Sequence, residues 1–156
     1  MVKTNALRLL EVAGITTEVT EYTVDESDLS GVHVAEVIGA DPDTVFKTLV
    51  CRGDKNGINV FVIPVAAELD LKKCAAVSKN KKVEMIGVKE ILGVTGYIRG
   101  GCSPVGMKKK YPTYMDETAV LFDGIYVSAG VRGMQMKVNP EELAAYVGAE
   151  FCDLTM

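Results

Sequence analysis

Two apolar runs joined by a short polar turn constrain this chain more than any other feature. "TVFKTLVC" covers residues 44–51, "INVFVIPV" covers residues 58–65, and "GDKNG" lies between them at 53–57. Valine, isoleucine, threonine and phenylalanine suit a pleated surface, and Asn-Gly is a strong hairpin-turn signal. The pair predicts a β-hairpin. Both strands are apolar enough to belong at the centre of a sheet.

Short elements of both kinds surround this hairpin. "TNALRLLEVAG" (4–14) has an N-cap candidate at Thr4 or Asn5, helical spacing at Leu7 and Leu10, and a stop at Gly14. "TTEVTEYTV" (16–24) reads as a strand, and "VHVAEVIG" (32–39) as a short helix closed by Gly39. "ELDLKKCAAVSK" (68–79) has helical spacing with lysines on its far face, "KKVEMI" (81–86) reads as a short strand, and "GVKEILG" (87–93) as a helix between glycines. "AVLFD" (119–123), "GIYVSAG" (124–130) and "MQMKVN" (134–139) read as strands joined by glycine turns. "NPEELAAYVG" (139–148) is a helix, with Asn139 as N-cap, Pro140 at N1 and Gly148 as its stop; "AEFCDL" (149–154) is a closing strand. Tight turns between strand pairs favour a mixed or antiparallel sheet over a Rossmann sheet. The expected fold is α/β of the α+β type: one domain over residues 1–156, with a mixed, barrel-like sheet and surrounding short helices.

Composition excludes several classes of function. Hydrophobic residues make up 48% of the chain and charged residues 24%, which is enough apolar matter for a core. No segment approaches the ~18 uncharged apolar residues of a membrane span. "MVKTNALRLLEVAG" carries Glu11 and lacks a continuous apolar stretch, so it is not read as a signal peptide, and a cytoplasmic location is expected. Cys51, Cys74, Cys102 and Cys152 form no C-x-x-C pair, and the single histidine, His33, has no ligand partner nearby in sequence. No metal or other cofactor is expected from that pattern.

Charge is unevenly distributed. Residues 66–115 carry ten basic and four acidic side chains, a net +6, while the remainder carries seven basic and seventeen acidic, a net −10. Such asymmetry suits a polyanion held on one face, although clustered surface charge is the plainer explanation. Within the segment, "MKKKYPTY" (107–114) interleaves Lys108, Lys109 and Lys110 with Tyr111 and Tyr114, a pattern suited to phosphate contact and base stacking.

Three local features point to chemistry. Lys47 shares a strand face with Val45 and Leu49, where a charge is costly unless it is used in a cleft or snorkels from an edge strand. "GGCSPVG" (100–106) can aim backbone N–H groups at an anion or a carbonyl oxygen, yet is neither a Walker loop nor G-x-G-x-x-G. Cys102 and Ser103 within it have no general base nearby in sequence, so neither reads as an activated nucleophile. Ser128 sits near a strand end beside glycine, where pockets are often lined.

"DPDTVFKTLV", "ELDLKKCAAVSKNKKVEM", "TGYIRGGCSPVGMKKKYPT" and "IYVSAGVRG" together resemble the YbaK/EbsC family, over residues 5–154 and in the same order. That resemblance implies the YbaK/prolyl-tRNA synthetase-associated domain fold and an aminoacyl-tRNA deacylase acting in trans. Cys-tRNA(Pro) is the implied substrate, and cyclisation by the substrate's own thiol the implied chemistry. The alternatives are water-mediated clearance of Ala or Ser, or a non-catalytic tRNA- or synthetase-binding module. A weaker third is a small-molecule hydrolase using Cys102. The implied partners are aminoacylated tRNA and, secondarily, prolyl-tRNA synthetase. By resemblance Lys47 is the catalytic residue, and Tyr22, Gly100, Gly101, Ser103, Pro104, Ser128 and Gly130 bind the substrate. Lys108, Lys109 and Lys110 are expected to contact the tRNA backbone. The chain departs from the family pattern at three positions. Cys102 replaces a branched aliphatic residue, Gln135 stands where an aspartate is frequent, and Ser30 stands where an aromatic residue is common.

Overall fold

The computed structural model describes residues 3–156; Met1 and Val2, the first two residues of the segment read above as no signal peptide, lie outside the described residues. The hairpin is its backbone. Strands β2 (Phe46–Gly53) and β3 (Gly57–Pro64) pair antiparallel, with Gly53 opposite Gly57 at the turn. Gly57 has φ +77°, a left-handed conformation that asparagine-glycine turns require.

Six further strands complete two sheets: β1 (Thr17–Glu21), β4 (Val83–Met85), β5 (Thr113–Asp116), β6 (Ile125–Ser128), β7 (Met134–Val138) and β8 (Glu150–Cys152). The larger sheet has the order β4-β2-β3-β5-β8 and is mixed, because β3–β5 and β5–β8 run parallel. The smaller sheet has the order β1-β7-β6 and is antiparallel. A parallel bridge between Val45 and Tyr126 joins the sheets, so the arrangement curls toward a barrel.

The main core fills the space between the sheets. Phe46 and Val62 reach it from the larger sheet, and Ile125, Val127, Met134 and Met136 from the smaller. Helices α1 (Asn5–Val12) and α5 (Pro140–Val147) close it with Leu7, Leu10, Leu143 and Ala144. A second cluster, built on Cys51, Phe61, Ile63 and Leu154, lies under helix α3 (Leu71–Val77). Strand β3 therefore buries both faces, which explains its unbroken apolar run. Helix α2 (Gly31–Ile38) packs Ala35 on Val45 and Val65, and α4 (Val88–Thr95) lies beyond β4.

Most of the expected elements form, with shifted ends. Thr4 and Asn139 cap their helices as read, accepting from Leu7 N and Glu142 N. Helix α3 begins only at Leu71, because Asp70 caps it by accepting from the backbone N–H groups of Lys72 and Lys73. Helix α4 runs through Gly93 and stops at Gly96, at φ +85°. Two segments differ in kind. Glu117–Leu121 is a 3₁₀ turn, so "AVLFD" is not a strand; the Asp116 carboxylate accepts from Thr118 N and Oγ1 and starts the turn. Strand β5 is only four residues long, with strand-favouring Thr113 and Tyr114 at its start, and is held by parallel partners on both sides. Tyr114 on it stacks against Phe61 at 5.5 Å, which commits to packing a ring that the sequence offers for base stacking.

Candidate functional site

A cavity of about 500 Å³ opens where β2 is incompletely paired. Along its outer edge, β2 is attached at one end through Val45 to Tyr126, and at the other through Cys51, Arg52 and Gly53 to β4. A hydrogen bond from Ile86 N to Val50 O, 3.1 Å, extends the second attachment. Between them, residues 46–49 have no strand neighbour on that side among the described residues. An unpaired strand edge presents backbone N–H and C=O groups to whatever enters.

The walls come from several elements. Val34 of α2, Ile86, and Val88 and Ile91 of α4 supply apolar surface. Ser128 and Gln135, directly paired across β6 and β7, supply polar groups from the smaller sheet. Arg99, Gly100 and Cys102 close the side formed by the glycine-rich loop.

Lys47 projects from the open stretch of β2. Its cross-strand partner is Ile63, fully buried, and its face also carries Val45, 1% exposed. Desolvation lowers the amine's pKa from its ordinary 10.5, opposed by a weaker attraction from Glu68. Thr48 also lines the cavity, although successive strand residues point to opposite faces. Both can do so because the cavity wraps around the edge of the strand.

Ser128 Oγ accepts from Gly130 N at 3.1 Å, which orients the hydroxyl and leaves its proton free to donate. Gly130 has φ +106°, and a Cβ there would lie 3.1 Å from the Tyr97 ring. The Tyr97 hydroxyl donates to Val105 O, so this ring ties the serine turn to the glycine-rich loop. Burial pushes the Tyr97 pKa up to about 12, so it remains a donor.

The loop itself is held from outside. Arg132 Nε donates to Arg99 O at 2.7 Å, and Gly101 N donates to Ile98 O at 3.0 Å. Gly100 takes φ +86° and lines the cavity. Cys102 lines it too, but burial drives its thiol up to about 11, against a smaller opposing effect of the Thr95 hydroxyl. A thiol in that state is a poor nucleophile at neutral pH.

The residues singled out in the sequence thus divide. Lys47, Gly100 and Ser128 meet in the cavity. Gly101, Ser103, Pro104, Gly130 and Tyr22 lie outside its lining. Ser103 is fully buried and its Oγ accepts from Val105 N, while Tyr22 N donates to Gly133 O at 2.9 Å. Lys108, Lys109 and Lys110 are exposed. Lys109 and Lys110 border a separate depression of about 230 Å³, together with Pro104, Gly106, Tyr111 and Tyr146. One loop therefore separates an apolar cavity from a basic one. Sequence reasoning missed Thr48, Arg99, Ile86 and Tyr97. The only signal for Thr48 was its place beside Lys47.

Among the described residues no three His, Cys, Asp or Glu side chains converge as metal ligands, and no helix is long and apolar enough to cross a membrane.

Sequence and fold comparisons place the chain in a known class. Residues 30–146 match the aminoacyl-tRNA editing domain, and the chain belongs to that family. EbsC of Enterococcus faecalis, to which the activity of a Cys-tRNA(Pro)/Cys-tRNA(Cys) deacylase is ascribed, is 48% identical over 153 residues, covering 98% of this chain and 93% of EbsC. A solved structure ascribed to a trans-editing enzyme for prolyl-tRNA synthetase superposes with TM-score 0.82 at 26% identity, covering 97% of this chain and 92% of that one. The hypothetical protein APE2540 shares the fold at TM-score 0.86 and 20% identity, over 96% and 97% of the two chains.

Proposed function

We propose that this chain is a trans-editing deacylase that clears cysteine from mischarged tRNA, with Cys-tRNA(Pro) as its substrate. The observation that carries the proposal is the cavity that places half-buried Lys47 and the Ser128 hydroxyl against an open strand edge, in a chain 48% identical to EbsC. The cysteinyl ester enters along that edge, with the tRNA 3′ end at the mouth near Arg99.

In this reading the substrate provides its own nucleophile. Its sulfur attacks the ester carbonyl, a C–S bond forms, and the C–O bond to the terminal ribose breaks. The thiol proton leaves with the departing ribose oxygen. The products are free tRNA and a cyclic thiolactone, which water opens to cysteine. The protein's tasks are orientation and stabilisation of the charge developing on the carbonyl oxygen. Lys47 and the Ser128 O–H face the cavity and suit that role. Gly100 lets the backbone approach closely, and Gly101, Ser103, Pro104 and Gly130 hold this wall in shape. Tyr22 supports the turn at Gly133. The raised thiol pKa of Cys102 supports packing rather than chemistry for that residue.

Lys108, Lys109 and Lys110 suit contact with the tRNA backbone beyond the glycine loop, with prolyl-tRNA synthetase as a further partner and the cytoplasm as the setting. The test is deacylation of Cys-, Ala- and Ser-tRNA(Pro). Cysteine should be cleared at least tenfold faster than serine; inactivity toward all three would overturn the proposal.

A further inference from the structure

The hydrogen-bonding alternation along β2 determines which backbone groups its open stretch offers. Val45 O accepts from Val65 N at 2.8 Å, so residue 45 faces the β3 side. Opposite residues of an antiparallel pair alternate between exchanging both backbone bonds and exchanging none. Lys47 and Leu49 therefore bond toward Ile63 and Phe61, while the N–H and C=O groups of Phe46, Thr48 and Val50 face outward. Three further observations agree. Val50 O accepts from Ile86 N, on the outer side, at 3.1 Å. Val60, opposite Val50, donates away from β2 to Pro112 O at 2.9 Å. Pro64, opposite Phe46, has no N–H to give. Phe46 lies next to the Val45–Tyr126 bridge and Val50 O is taken, which leaves Thr48 at the centre of the gap. Among the described residues no group on the outer side bonds Thr48 N or Thr48 O. Thr48 lines the cavity and is half-buried, yet its hydroxyl oxygen is sealed, so the surface it shows belongs to its other atoms.

The N–H and C=O of one such strand residue lie side by side and are spaced for one partner residue. That partner carries an N–H donor and a C=O acceptor on either side of a single α-carbon, as an α-aminoacyl ester does. We propose that the backbone of Thr48 receives the aminoacyl group as a one-residue addition to the sheet. Thr48 O accepts from the α-amino group, and Thr48 N–H donates to the ester carbonyl oxygen. As negative charge grows on that oxygen during attack, the bond from Thr48 N–H strengthens and no proton is transferred. The inference rests on the deacylase reading and adds to it the protein atoms that hold the reacting carbonyl. Backbone bonds are blind to the substrate's side chain, so choice among amino acids falls to the walls, Val34, Ile86 and Ser128 among them.

The first test is amide hydrogen exchange by NMR on the wild-type protein. Without ligand, the Thr48 amide should exchange at least about tenfold faster than those of Lys47 and Leu49, which bond β3. The ligand is cysteine linked by an amide to 3′-amino-3′-deoxyadenosine, its amide carbonyl standing in for that of the ester. At saturation it should slow Thr48 exchange roughly tenfold. Its 3-mercaptopropionyl counterpart, which lacks the α-amino group, should bind about tenfold more weakly, the factor that one ordinary hydrogen bond represents. T48P removes the N–H without breaking a bond to β3. Its kcat/KM for Cys-tRNA(Pro) should fall about 100-fold below that of T48V, which keeps the N–H. The inference is overturned by Thr48 exchanging as slowly as its neighbours in the free protein, by no slowing at about 1 mM ligand, by equal affinity of the two ligands, or by T48P as active as T48V. The exchange measurement decides alone should T48P not fold. Wild-type turnover of Cys-tRNA(Pro), measured in parallel, separates the two levels. Turnover with any of those results overturns the Thr48 assignment alone, and no turnover on any misacylated tRNA overturns the deacylase reading and this assignment with it.

Discussion

Replacing Lys47 with methionine should make the protein more stable while removing its activity. The side chain leaves β2 between Val45 and Leu49 and opposite Ile63, is half-buried, and lines the cavity. Methionine fills nearly the same volume and opens no void. It also removes a charge whose pKa is lowered chiefly by desolvation. Functional residues held at such a cost commonly return about 0.5–1 kcal/mol when replaced, which for a chain of this size raises Tm by roughly 1–4 °C. The sign can be followed with pH. A lysine whose folded pKa lies below its ordinary 10.5 destabilises the fold fully at neutral pH, and that penalty fades as pH rises through the folded pKa. The Tm advantage of Lys47→Met should therefore be largest near pH 7 and shrink as pH approaches 10.5. Loss of a group that stabilises developing charge should lower kcat by roughly 10²–10³-fold. Thermal melts at pH 7.5 and 10.5, with single-turnover deacylation of Cys-tRNA(Pro), measure both effects. A lower Tm at pH 7.5, or activity within threefold of wild type, would refute the reasoning.

Other changes probe the surroundings of the lysine. Cys102, with its thiol at about 11 rather than 9.0, should hold about 100-fold less thiolate at pH 7.5 than an ordinary cysteine; iodoacetamide kinetics followed by mass spectrometry check this, and rapid labelling with loss of activity would restore it as a nucleophile. Gly130→Ala forces an L side chain to φ +106° and toward the Tyr97 ring, and should cost about 2 kcal/mol in urea denaturation; a cost below 0.5 kcal/mol would contradict the packing described. Changing Lys108, Lys109 and Lys110 together to glutamine should reduce the log–log salt slope of tRNA affinity by roughly 1 per lysine and leave Tm nearly unchanged, whereas an unaltered slope would place the tRNA elsewhere.

The parts legible in the sequence were those governed by local chemistry. The Asn-Gly turn, the caps at Thr4 and Asn139, and the glycine stops at Gly39 and Gly148 each depend on a few adjacent atoms. Lys47 stood out for the same reason, since strand alternation alone sets it among apolar neighbours. "TYMD" drew no reading and "AVLFD" was misread because their structure is decided elsewhere. The first becomes a strand only between β3 and β8, and the second turns because Asp116 caps it. Alternation would also have separated Thr48 from Lys47, whereas the cavity gathers both around an unpaired edge.

Residue order alone determined that this chain folds around a central apolar hairpin, that one strand carries a lysine out of place, and that a flexible glycine loop precedes a basic run. Family membership follows from the same order. Tertiary structure decided that β2 is left unpaired between two attachments, and that Ser128, Gln135 and Gly100 arrive at that gap from elements far away in sequence. It also buried Ser103 and set Cys102 in the cavity wall, while Thr48 Oγ1 and Gln135 Oε1 are buried without protein hydrogen-bond partners. The physical reason is that turns, caps and strand faces are set by neighbouring residues. A cavity is set by which long-range pairings are missing, and that becomes visible only once all the others have formed.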